Sequence, residues 1–166
     1  MKPTSRIQTS SGGEFIEASR TILADDYVPK LVRCWDLLSE GDIWWRPNPA
    51  SNAIGNMVLH MCGNLREWII GGAGGERFDR DRPVEFSTTA GQTRDALLAE
   101  VVETAHRVDR VLADLPADTL LDPLTIQGFE VTRLHAVYHA IEHFGYHLGQ
   151  IAYVVKLRTG KDLEIF

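Results

Sequence analysis

The stretch LHAVYHAIEHFGYHLGQI (residues 134–151) carries four histidines, His135, His139, His143 and His147, each four residues after the last. An α-helix turns about 100° per residue, so side chains four apart are offset by only about 40° and stack along one side. Leu134, Val137, Tyr138, Ile141, Phe144, Leu148, Ile151, Ala152 and Val155 form one broad apolar face of the same helix. The histidines fall on a second, narrower stripe with Ala136, Ala140, Gln150 and Val154, which places apolar or small residues on two sides of the helix. Two histidines at i, i+4 are a common way for one helix to grip a metal ion. Three such pairs are available here, 135/139, 139/143 and 143/147, and spacing does not choose among them.

A third ligand has to come from elsewhere in the chain. His106 sits among Glu103, Arg107, Asp109 and Arg110, an ordinary solvated face. His60 lies between Leu59 and Met61, with Asn56, Asn64 and Glu67 at helical spacing along its own side, and is the candidate.

Around this stretch the chain reads as helical throughout. Residues 1–13 form a polar start, expected to be flexible, and residues 14–166 one domain. Phe15, Ile22, Leu23, Leu31, Trp35 and Leu38 recur at helical spacing from Glu14 to Ser39, with Pro29 either kinking one helix or starting a second. The prolines and asparagines of 44–52 mark a loop. Ser51 or Asn52 is expected to cap a second helix reaching Ile70, with Ile54, Met57, Val58, Met61, Leu65 and Trp68 as its apolar stripe. Residues 71–86 lack periodicity and are expected to form a loop, a lid or an interface arm. Thr88 or Thr89 should cap a third helix, whose Leu97, Leu98, Val101, Ala105, Val108 and Leu112 repeat up to Leu115. Residues 116–130 read as a second irregular connector, and the last helix spans Val131 to Arg158, stopped by Gly160. No stretch alternates long enough to predict a strand. The expected fold is an all-α, up-down four-helix bundle.

Composition excludes several function classes. The 166 residues hold 17 Lys and Arg against 23 Asp and Glu, a formal net charge of −6, which disfavours a nucleic-acid partner. No apolar run approaches the ~20 residues of a membrane span. The first residues lack an apolar signal core, so a cytoplasmic protein is expected. Cys34 and Cys62 make no CxxC pair and read as reduced core residues, with Cys62 alternatively a neighbour of His60.

At this point the motifs resemble a known family. The pattern His143-x-x-x-His147-x-Gly149-Gln150 is similar to the last-helix signature of the DinB-like superfamily of metal-binding four-helix bundles. IWWRPNPASNAIGNMVLHMCGNLREWI (43–69), GERFDRDRPVEF (75–86), IQGFEVT (126–132), YHAIEHFGYHLGQI (138–151) and KLRTGKDL (156–163) resemble, in order, motifs of a branch of unknown function. The resemblance implies metal ligation by His60, His143 and His147, leaving His139 beside the site and His135 as a structural or surface residue. Ala53 stands where that branch more often has serine.

Three imidazoles leave a coordination position for water or substrate, and zinc, nickel and ferrous iron all suit nitrogen ligands. Asn64 and Gln150 are placed to orient a ligand ring or a bound molecule, Glu67 and Glu142 are the nearest carboxylates for proton transfer, and Trp44, Trp45 and Trp68 could line a pocket. Relatives of this fold include thiol transferases and a thiol-dependent isomerase, and form homodimers. The resemblance therefore implies a metal-dependent, homodimeric enzyme acting on a small molecule, a low-molecular-weight thiol above all. The alternatives are a hydrolase that activates water at the metal, and a non-catalytic, metal-stabilised binding or stress protein.

Overall fold

The computed structural model describes residues 10–165. Residues 1–9, most of the expected flexible start, lie outside the described residues. The first helix, α1 (residues 11–35), begins three residues earlier than periodicity suggests: Ser10 caps it, its hydroxyl accepting from the Gly13 N–H at 3.1 Å. α1 is α-helical over Ser11–Thr21, widens to π-helical over Ile22–Tyr27 and returns to α-helical over Val28–Trp35. Pro29 explains the wide turn. Its ring collides with the carbonyl four residues back and it has no N–H, and a turn bonded five residues back (Val28 N–H to the Leu23 carbonyl) makes room without ending the helix. The extra residue shifts the buried stripe: Ile16 and Leu23 are inside, while Ile22, expected inside, is 39% exposed.

A one-turn helix α2 (Glu40–Ile43) precedes the 44–52 loop. The helix that follows, α3 (residues 54–73), is α-helical over Ile54–Leu65 and π-helical over Arg66–Ala73. Its N-cap is Ala53, not Ser51 or Asn52, and alanine offers no side-chain acceptor. Asn56 supplies the capping contact instead: its Oδ1 accepts from the Ala53 N–H at 3.2 Å and from Arg46 at 2.8 Å. Its Nδ2 donates to the carbonyls of Glu85 at 2.9 Å and Thr88 at 2.7 Å. That fully buried amide ties the connector after α3 back onto α3.

This connector corrects the expectation of a plain loop. It contains α4 (Arg82–Ser87), started by Asp81, whose carboxylate accepts from the Val84 N–H at 3.3 Å, with Pro83 in the first turn. The next helix, α5 (Arg94–Asp114), is capped by Thr93, five residues after Thr88; the chain between Thr88 and Thr93 is not helical. Leu97, Val101, Ala105, Val108 and Leu112 are its buried face, as expected.

The second connector is also corrected, because it contains strands. β1 (Pro123–Ile126) and β2 (Phe129–Thr132) pair antiparallel with Ile126 opposite Phe129. The turn is Gln127–Gly128, both with positive φ, 53° and 82°, the twist that two-residue hairpins favour. Four-residue strands are too short for alternation to register in sequence. β2 also moves the start of α6 (Arg133–Thr159) to a cap at Thr132, which accepts from the His135 N–H at 3.2 Å. Gly160, at φ 66°, ends it in the left-handed conformation.

Each long helix has two long neighbours: α1 packs on α5, α5 on α3, α3 on α6, and α6 on α1. One buried cluster runs between them, with Trp35, Phe144, Leu31, Ile54 and Leu97 fully inside. The chain is thus mostly helical with one small hairpin. Among the described residues no helix is long and apolar enough to cross a membrane. The hairpin lies against the 66–73 turn of α3 and the start of α6, so it closes one end of the α3–α6 seam. That seam is where the histidines meet.

Candidate metal centre

His60 projects from α3, and His143 and His147 from α6, one turn apart. His60 Nε2 lies 3.1 Å from His143 Nε2, and His147 Nε2 lies 3.2 Å from the same atom. All three donor atoms fall within 4.8 Å of one another, so the cluster could hold a metal ion. Two nitrogens bound to one tetrahedral ion at ~2.0–2.1 Å sit about 3.4 Å apart, close to the two shorter separations. Spacing alone left three pairs open, and the fold selects 143/147 because only these rings face His60.

The outer ring nitrogens support the same fit. His60 Nδ1 is 2.8 Å from Glu85 Oε2, and His147 Nδ1 is 2.7 Å from Gln150 Oε1. A carboxylate and an amide oxygen only accept, so in both rings the proton sits on Nδ1 and Nε2 keeps its lone pair. Two bare lone pairs then approach His143 Nε2, whose single hydrogen can serve only one of them. A cation satisfies all three. His143 Nδ1 is buried without a partner. Burial, then the neighbouring His147 and His60, pushes the His143 ring down to about 3, so it stays neutral. Burial also lowers His147 and His139. Neutral imidazoles are the form that ligates metal.

Glu85 was missed in sequence because the 71–86 segment reads as a loop. Asp81 followed by Pro83 was the available signal: it marks a helix start and so gives Glu85 a fixed direction. Burial would raise the Glu85 carboxyl, but hydrogen bonds from His60 and Arg80 together hold it below its ordinary value. Arg80, also unforeseen, has a side chain only 5% exposed. Its Nε and Nη2 donate to Glu85 at 2.6 and 2.8 Å, and its Nη1 donates to Glu67 Oε2 at 2.8 Å. Gln127 at the hairpin turn donates to the same Glu67 oxygen at 2.6 Å. Glu67, a sequence candidate for proton transfer, is therefore an ion-pair partner of Arg80. Gly63 makes the cluster possible, since a Cβ there would run into the Glu85 carboxylate and lie 2.9 Å from Arg80 Nε.

A cavity of about 530 Å³ opens beside the cluster, lined by His60 and His143 together with Asn64, Trp68, His139 and Phe129. His135 and Gln127 also reach it. Asn64 and His139 are brought together, their Nδ2 and Nε2 at 3.4 Å, and the His139 ring packs on Trp68 with centroids 4.2 Å apart. Trp68 is the tryptophan that lines this cavity. Trp44 instead packs over Gly55 and donates to the Gln92 carbonyl at 3.2 Å, and Trp45 lies under Arg158, 4.6 Å from its ring centre. Both belong to the helix-end packing, and neither lines this cavity. Glu142 is exposed on α6. Cys62 is fully buried and burial pushes its thiol up to about 12, as for a core residue.

A family model described as "Protein of unknown function (DUF1572)" matches residues 11–166. A search of curated proteins finds no match. Among solved structures, the chain is similar to one titled "Crystal structure of the conserved protein of locus from Enterococcus faecalis", at 16% identity and a TM-score of 0.72, over 87% of this chain and 97% of that one. At that identity the likeness shows a shared fold. The chain belongs to the DUF1572 family.

Proposed function

We propose, on the premise of that family membership and the geometry above, that the chain is a single-domain metalloenzyme built on a DinB-like four-helix bundle. His60, His143 and His147 hold one divalent transition metal, zinc, nickel or ferrous iron, and the adjoining cavity takes a small-molecule substrate. One observation carries the reading: three Nε2 atoms converge while Glu85 and Gln150 hold two of the rings in the ligating tautomer. A structural site closes on four protein ligands, whereas three leave a position for a guest.

When bound, the ion would supply Lewis acidity, lowering the pKa of water or a thiol to about 7. The chain's own residues do the rest. Glu85 and Gln150 orient the ligands, Asn64 and His139 offer hydrogen bonds in the cavity wall, and Trp68 and Phe129 give a guest an apolar surface. The chemistry we favour is conjugation of a low-molecular-weight thiol to an electrophile. A hydrolytic reading gains from His139: burial keeps this imidazole neutral beside the cavity, so it can take a proton at neutral pH. The test is elemental analysis of untagged protein, then thiol-conjugation and ester-hydrolysis screens on the loaded protein. Turnover with a thiol that disappears with chelator supports the first reading, and chelator-sensitive hydrolysis alone supports the second. Full metal occupancy with neither activity, and loss of the folded state on chelation, would leave a metal-stabilised binding protein.

We also propose a homodimer. Tyr138, Tyr146, Tyr153 and Leu157 lie 58–66% exposed along α6, an apolar surface a second copy could cover. A concentration-independent monomer mass by light scattering counts against it.

A further inference from the structure

Two neighbours of opposite character compete for the outer nitrogen of His60. Glu85 Oε2 lies 2.8 Å from Nδ1 and Arg80 Nη2 lies 3.0 Å from it. A carboxylate only accepts and so holds the ring proton on Nδ1. A guanidinium only donates, so a bond from it would leave Nδ1 bare and move the proton to Nε2. The first tautomer presents a lone pair to His143 and His147, and the second presents an N–H.

Counting hydrogens decides between them. Nη2 carries two. One is directed to Glu85 Oε2 at 2.8 Å and the other to the His60 carbonyl at 3.3 Å. None remains for Nδ1, so that close approach is contact without a bond. Arg80 is meanwhile anchored from its far side by Glu67, itself held by Gln127. The guanidinium would therefore stay beside His60 if Glu85 were removed.

We propose that Glu85 is a tautomer lock: it occupies the Arg80 hydrogens and accepts the Nδ1 proton, and without it Arg80 would donate to Nδ1 and turn His60 into a non-ligand. The proposal rests on the reading of His60 as a metal ligand. Glu85 is a positioning residue, and Arg80 is the latent competitor it restrains.

The test uses ¹⁵N-histidine-labelled, metal-free protein at pH 7.5, whose long-range ¹H–¹⁵N spectra distinguish the two tautomers, followed by competition titration with zinc chloride. Wild type is expected to show His60 protonated on Nδ1. Glu85→Ala should move the proton to Nε2 and weaken zinc binding by about 10- to 100-fold, the range for loss of a ligand-orienting carboxylate. The double variant Glu85→Ala/Arg80→Met should recover zinc affinity relative to Glu85→Ala, because the competing donor is gone. Persistence of the Nδ1 proton in Glu85→Ala, or a double variant that binds zinc no better than the single one, overturns the lock. If Glu85→Ala does not fold, Glu85→Met, of similar length and with no oxygen to accept the Nδ1 proton, asks the same question, and an unchanged tautomer with unchanged affinity overturns it. Tautomers that shift as expected in a protein with no zinc affinity would sink the metal reading and leave the lock standing.

Discussion

Replacing Gly63 by alanine is expected to destabilise the protein, against the usual sign for a helix. In a helix interior alanine is normally favoured over glycine by about 1 kcal/mol. At position 63 the new methyl would meet the Glu85 carboxylate and stand 2.9 Å from Arg80 Nε and 3.0 Å from Glu85 Cδ. Neither neighbour can give freely: Arg80 is 5% and Glu85 10% exposed, and each is held by the other and by Glu67 or His60. Overpacking of this kind costs about 1–3 kcal/mol, and pulling a buried pair apart adds to it. The net expectation is a loss of about 2 kcal/mol, a fall in Tm of roughly 4–8 °C for a chain of this length. Gly149→Ala is the control. Gly149 also lies inside a helix, α6, but a Cβ there meets nothing within 4 Å, so the substitution should stabilise by up to about 1 kcal/mol. Urea unfolding of the two variants in EDTA gives both values. A Gly63→Ala protein as stable as wild type, or two variants that shift in the same direction, refutes the packing argument.

Three further outcomes are expected. Zinc at a thousand times its Kd should stabilise the protein by about 4 kcal/mol over the EDTA-treated form, and His143→Ala should abolish the difference; a zinc response surviving that change places the ion elsewhere. In EDTA, stability should fall as pH drops below about 6.5, because His143 is protonated in the unfolded chain there but stays neutral in the folded one until about pH 3. Above that window neither state binds the proton, so the contribution is fully present at neutral pH. Inside it the loss is about 1.4 kcal/mol per pH unit for this group, and a urea midpoint flat from pH 7.5 to 5.5 counts against it. Cys62 and Cys34, buried and raised to about 12 and about 11, should resist a thiol reagent in native protein and react once it is unfolded; rapid native labelling would show them to be accessible.

Where sequence reasoning went astray, the cause was local. The π-turn around Pro29 inserted a residue into a 3.6-residue pattern, so Ile22 was assigned to a core that Ile16 occupies. The hairpin is too short for alternation, and its Gln127–Gly128 turn is a weaker signal than Asn–Gly. Ala53 ends up as a cap with no acceptor because Asn56, three residues on, reaches back to it.

The long helices and the four-residue spacing of the α6 histidines could be read from sequence alone, because helical periodicity and an i, i+4 spacing are properties of neighbouring residues; which pair of them meets His60 could not. Local reasoning offered His60 as a candidate, the resemblance to known motifs singled out His60 with His143 and His147, and Gln150, three residues from His147, was also within reach of local reasoning. Tertiary structure alone decided that His60 meets His143 across 83 positions of chain, and that Glu85 and Arg80 stand behind it. Those contacts follow from how α4 is pinned to α3 by Asn56 and into the notch at Gly63. A hydrogen bond between residues distant in sequence leaves no periodic trace, and whether a charged residue in a polar connector is solvated or buried is settled only when the helix beside it has packed.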